Sequence, residues 1–178
     1  GINQRLEQSA NNLYEADFLF ITFGTAWVYE LKETGSVVSN CHKLSDKLFS
    51  RRRLSVEEIM AVYVPLINKL HTINPRLKLI FTVRPIRHWK DGAHENTISK
   101  SILLLATEEL KLQFDSISYF PAYELVMDDL RDYRFYAEDM IHPNTVAIDY
   151  IWTKFAACYF STQTQRTISE VEKLKRAL

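Results

Sequence analysis

The chain has 178 residues, 47% hydrophobic and 25% charged, which is enough for one domain with a substantial core. Its 22 Lys and Arg balance 22 Asp and Glu, so no net field draws it toward nucleic acid or acidic lipid. Two cysteines, Cys41 and Cys158, are too few for a disulfide framework and lack metal-ligand spacing.

No apolar run approaches the ~20 residues of a membrane span, and no signal-peptide pattern opens the chain, a slight lean toward the cytoplasm. The sequence begins with Gly1 and enters an amphipathic segment at once, the expectation being an internal start with something missing upstream. Ile2, Leu6, Ala10 and Leu13 then recur at helical spacing up to about Ala16. Phe18 to Phe23 is a short, nearly continuous apolar run and reads as a parallel strand buried on both faces, with Gly24 and Thr25 at its carboxyl end. A doubly wound sheet places its functional loops at that end.

Residues 26–40 read as a hairpin insertion, with Trp27 to Leu31 and Val37-Val38 as strands and Thr34-Gly35 as the turn. The cluster Asn40-Cys41-His42-Lys43 follows, either a hydrogen-bonded loop or a flap over a site. Arg51, Arg52 and Arg53 read as a solvated loop, with an anion site as the alternative. Ser55 and Glu58 form a capping box that starts a helix with Ile59, Val62, Tyr63, Leu66 and Leu70 as its core face, Pro65 as a kink and Asn74-Pro75 as its stop.

Leu77 to Val83 is the second strand, followed by the loop Arg84-Pro85-Ile86-Arg87-His88. A helix to about Phe114 carries Leu103, Ala106, Leu110 and Phe114 inward, and Ile117 to Phe120 is a third, shorter strand. Tyr123 to Leu130 reads as helical, and Ile148, Ile151, Trp152, Phe155 and Tyr159 form the stripe of a long helix after Asn144. Residues 169–178 read as a polar helix. Alternating strands and helices predict an α/β fold with a parallel sheet in a single domain, although three strands are few for this length.

Asp139 and His142, three residues apart just before that long helix, suit a general base and the carboxylate that orients it. Pro143 biases His142 toward an extended conformation and suits a first helical position. The same spacing also serves a turn with no chemistry. In a parallel sheet the loops at Gly24, Arg84 to Trp89 and Asp139 to His142 converge, which favours the catalytic reading. No nucleophile accompanies them: there is no Gly-x-Ser-x-Gly elbow, and Cys41 and His42, adjacent in an extended segment, point to opposite faces. The histidines at 42, 88, 94 and 142 match no metal-ligand spacing, and phosphate-binding glycine motifs are absent, so neither metal nor cofactor is expected.

The strings Ile21-Thr22-Phe23-Gly24-Thr25-Ala26-Trp27-Val28-Tyr29, Asn40-Cys41-His42-Lys43, Pro85-Ile86-Arg87-His88, Leu130-Arg131-Asp132-Tyr133-Arg134-Phe135-Tyr136 and Asp139-Met140-Ile141-His142-Pro143 closely resemble the GSCFA family, a bacterial branch of the SGNH, or GDSL-like, hydrolases frequent in Bacteroidetes. The resemblance implies a flavodoxin-like three-layer α/β/α sandwich and hydrolysis of an ester, with acylated carbohydrates as candidate substrates. It implies His142 as base and Asp139 as its orienter, with Gly24, Thr25, Asn40, Arg87 and His88 around the oxyanion and pocket. Two departures stand out. Ala26 replaces the asparagine donor expected after Gly24, and Arg84 stands where a small residue is expected. The Gly-Ser-Cys-Phe-Ala motif that would supply the serine is absent from the sequence, so the chain by itself is expected to be inactive. A non-catalytic carbohydrate- or partner-binding domain on the same fold is the alternative.

Overall fold

The computed structural model describes residues 2–39, 41 and 43–177. The chain divides into two compact units, Gly1–Pro121 and Ala122–Leu178.

The first unit opens with helix α1 (Ile2–Glu15) and strand β1 (Phe18–Phe23). After a second, smaller sheet come α2 (Val56–Ile73), β5 (Lys78–Val83), α3 (Gly92–Gln113) and β6 (Ile117–Phe120). The strands β1, β5 and β6 pair in that order, all parallel, with Phe18 opposite Lys78 and Phe23 opposite Val83. Parallel connections cross over right-handed as a rule, so two stepping the same way put both helices on one face, and α2 packs against α3. This is the α/β class expected of a three-layer α/β/α sandwich.

The period of two decides what the sheet buries. Phe23 and Phe81 face α2, where their rings meet that of Tyr63 at 5.1 and 5.8 Å. Leu79, Phe81, Val83, Ile67, Ala106 and Leu110 complete a core that solvent scarcely reaches. The expectation that β1 is buried on both faces is corrected. Phe18 and Phe20, on the opposite face, are 48% and 46% exposed, because β1 is an edge strand and its apolar run fills only one side.

The hairpin expectation is met by β2 (Trp27–Leu31) and β3 (Ser36–Val38), closed by Gly35 at φ 69°, a left-handed conformation that glycine adopts without steric cost. It is extended by a strand the sequence reading missed. β4 (Phe49–Arg53) pairs antiparallel with β2, so the three arginines are strand residues and not a solvated loop. Their partners explain why: Arg51 pairs with Asp91, Arg53 with Glu95, and Arg52 with Glu30 and Glu58 at 2.6 and 2.7 Å. Arg51 also sets its guanidinium carbon over the Trp27 ring at 4.6 Å, a cation–π contact beside its ion pair.

The capping box starts α2 as expected, with Glu58 N–H donating to Ser55 Oγ and Ser55 N–H to Glu58 Oε2 at 2.8 Å. The helix continues through Pro65 to Ile73. Asn74, nearly fully buried, then donates to the carbonyls of Leu13 and Ala16 at 2.9 and 2.8 Å, fixing the turn from α1 into β1.

The second unit contains one helical turn, α4 (Ala122–Glu124), continuing as a single π-helical turn over Leu125–Asp129, then α5 (Thr145–Tyr159) and α6 (Thr162–Ala177). Within it Trp152, Phe155, Tyr159 and Phe160 form an aromatic cluster, with Trp152 stacked on Phe155 at 5.8 Å. Among the described residues no helix is long and apolar enough to cross a membrane.

Leu110→Ala should lower stability by about 2–5 kcal/mol in urea denaturation, because its fully buried side chain leaves a cavity against the sheet. Leu112→Ala, two residues on and 75% exposed, should change it by less than about 0.5 kcal/mol.

Candidate functional site

In the second unit the segment before α5 folds into a turn that organises its own chemistry. Asp139 Oδ1 accepts the backbone N–H groups of Ile141 and His142, each at 2.9 Å, while Oδ2 lies 2.5 Å from His142 Nδ1. One carboxylate thus fixes the backbone and the ring of the same histidine. Met140, between them, adopts φ 58°, a left-handed conformation uncommon for a side chain of its kind, and this lets two successive N–H groups reach one oxygen.

The turn is anchored on both sides. Ala137 N–H donates to the His142 carbonyl at 2.7 Å, and Tyr136 and Pro143 form an isolated antiparallel bridge. Asn144 caps α5 by accepting from Ala147 N–H, and its amide nitrogen donates to the Arg134 carbonyl at 2.7 Å. The helix therefore starts at Thr145 with Asn144 as its cap, and Pro143 is not its first residue as the sequence suggested, because a capping asparagine takes that boundary.

Three donors on one carboxylate stabilise its ionised form. The backbone N–H of His142, then its ring, then the N–H of Ile141 hold Asp139 down to about 2. An ionised Asp139 fixes the tautomer, since Nδ1 must then carry the proton it shares. Nε2 of His142 is left as the basic nitrogen. Among the described residues it has no hydrogen-bond partner, and the side chain is 54% exposed.

In the first unit Gly24 and Thr25 sit where β1 ends and Arg84 where β5 ends, side by side because the strands are in register. Lys100 of α3, 1% exposed, donates from Nζ to the carbonyls of Gly24 and Arg84, each at 2.6 Å. Burial first, then the nearby Arg84 charge, bring its pKa down to about 8. Ser99 Oγ accepts Ala26 N–H at 2.7 Å and lies 3.0 Å from Thr25 Oγ1, which in turn accepts Trp27 N–H at 3.2 Å. Nothing in a motif search singles out Ser99 and Lys100. The signal is in the helix itself, where the inward stripe Leu103, Ala106, Leu110 continues backward into Asn96, Ser99 and Lys100, polar residues on a core-facing line.

His88 donates its backbone N–H to Asn96 Oδ1 at 2.9 Å. Burial, and after it the charges of Lys100, Arg84 and Arg51, push its pKa below the usual histidine value, which favours a neutral ring at neutral pH. Arg87 sits over the Trp89 ring at 5.7 Å. Asn40, expected near the oxyanion, and His42 lie outside the described residues. Among the described residues no three His, Cys, Asp or Glu side chains gather as a metal ion would require.

The site features define an α/β protein that carries a preorganised carboxylate–histidine pair in one unit and a loop-bearing parallel sheet in the other. The chain belongs to the GSCFA family, whose family model matches residues 1–155. No curated protein matches the sequence.

As pH falls, Asp139 should remain ionised until about pH 2, below the ordinary carboxylate range. Its folded pKa is depressed, so its stabilising contribution is present above about pH 4 and is lost as pH falls through 2. Carboxyl-carbon NMR of Asp139 checks this, and Asp139→Asn should remove the transition and free the His142 ring.

Proposed function

We propose that the chain carries the base half of an SGNH-type serine ester hydrolase, acting on acyl groups of carbohydrates. The carrying observation is the 2.5 Å contact between Asp139 Oδ2 and His142 Nδ1, with Nε2 of the same ring unpartnered among the described residues. That is the arrangement a general base needs: Nε2 takes the proton of a serine hydroxyl as it attacks the ester carbonyl, and the carboxylate stabilises the imidazolium that results. The imidazolium then returns the proton to the leaving alcohol, and water repeats the sequence on the acyl-enzyme. Gly24 and Thr25 belong to the oxyanion side in this reading, with Arg87 and His88 lining the pocket and Asn40 as a further donor. The serine comes from outside these 178 residues, and both units form parts of one hydrolase domain. Family membership supports the reading.

A second reading, a carbohydrate- or partner-binding domain without turnover, is favoured by one fact. Nε2 of His142 has no serine or cysteine bonded to it among the described residues.

Labelling the complete gene product with a serine-reactive fluorophosphonate separates the two. We expect one labelled serine, with His142→Ala and Asp139→Ala each slowing labelling by roughly 10²–10⁴-fold. Absence of labelling, or labelling indifferent to both substitutions, leaves the binding domain as the better reading. The 178-residue chain alone should not turn over a simple acetyl ester.

A further inference from the structure

Parallel pairing fixes the order in which rungs close at the end of β1. Arg84 N–H donates to the Phe23 carbonyl at 2.8 Å, and with Phe23 opposite Val83 the next rung would run from Thr25 N–H to the Arg84 carbonyl. That rung is not made. The Arg84 carbonyl instead accepts Lys100 Nζ, and the same ammonium takes the Gly24 carbonyl. A buried cation from α3 therefore stands between the two strand ends.

The neighbouring donors are accounted for. Ala26 N–H is held by Ser99 Oγ and Trp27 N–H by Thr25 Oγ1, while among the described residues Thr25 N–H has no partner. In a trans peptide the carbonyl and the N–H point in opposite directions, so drawing the Gly24 carbonyl inward to Lys100 turns Thr25 N–H outward. A side chain added at Gly24 would meet no atom of the described residues within 4 Å, so the space on that side of Gly24 is open among them.

We propose that Lys100 is a positioning residue that wedges open the last rung of the β1–β5 ladder and polarises the Gly24–Thr25 peptide, making Thr25 N–H a donor to the oxyanion of a tetrahedral intermediate. This rests on the hydrolase reading above. Two effects act together. The geometric one leaves a main-chain donor unspent at the carboxyl edge of the sheet. The electronic one follows from a charge-assisted bond at one end of an amide, which strengthens the N–H at the other. Thr25 N–H in this way supplies a donor that Ala26, in place of an asparagine, cannot.

Two measurements test it. In this chain, amide exchange should find Thr25 N–H unprotected while Arg84 N–H, held by Phe23, is protected; a protected Thr25 overturns the proposal. In the complete gene product hydrolysing p-nitrophenyl acetate, Lys100→Met should lower kcat roughly 10²-fold with KM little changed, and Lys100→Arg should recover most of that loss. An unchanged kcat, or a loss carried by KM, overturns it. If Lys100→Met does not fold, Lys100→Gln is read by the same outcomes. An inert wild-type protein removes the hydrolase reading and this proposal with it, whereas an active wild type indifferent to Lys100 removes this proposal alone.

Discussion

The in-register parallel pairing of β1 with β5 is the constraint on which the rest of the first unit depends. With Phe18 opposite Lys78 and Phe23 opposite Val83, the two strands finish at the same level, and Gly24 and Arg84 become neighbours although sixty residues separate them in sequence. The helix that follows β5 must run back along the sheet before β6 can pair in the same direction. Its first turns therefore lie at the carboxyl edge and its later turns beneath the strands. This one geometric requirement sorts the inward line of α3, with Asn96, Ser99 and Lys100 meeting loop backbone and Leu103, Ala106 and Leu110 meeting core.

The chain treats its histidines in opposite ways. His88 is partly buried, tied through its backbone to Asn96 and surrounded by the charges of Lys100, Arg84 and Arg51, which disfavour its protonation. His142 is exposed and shares its ring proton with a carboxylate kept ionised by three donors. The order around His142 is made within one short turn, whereas the surroundings of His88 are assembled from several elements. The second sheet adds to the cationic side. Arg51 and Arg53 are set against Trp27 and against the acids Asp91 and Glu95, at the amino-terminal end of α3.

Much of this was legible in the sequence, for identifiable reasons. The apolar runs at Phe18 and Leu77, bounded by Gly24 and Arg84-Pro85, set the parallel strands, and Ser55 with Glu58 set a helix start to the residue. Asp139 and His142 were legible because their partnership is local. What escaped was long-range. A run of three arginines reads as solvated until the acids of Arg51 and Arg53, some forty residues away, are brought to it by the fold. Lys100 escaped for a related cause: the inward stripe of α3 marks its face, but its two acceptors are contributed by loops 76 and 16 residues distant. The two-sided burial of β1 failed differently: hydrophobic composition states what a strand can bury, while its place at the edge of the sheet states what it does bury.

The turn around Asp139 has a consequence for how the protein assembles. Its three hydrogen bonds and the left-handed Met140 close within four residues, Asp139 to His142, and call on no distant partner. Contacts this local form on the scale of roughly tens of nanoseconds, whereas a parallel sheet must first bring strands across long loops. The carboxylate and the imidazole can thus find one another early in folding. Its order is then completed from just outside those four residues, by Ala137 N–H on the His142 carbonyl and by the bridge between Tyr136 and Pro143.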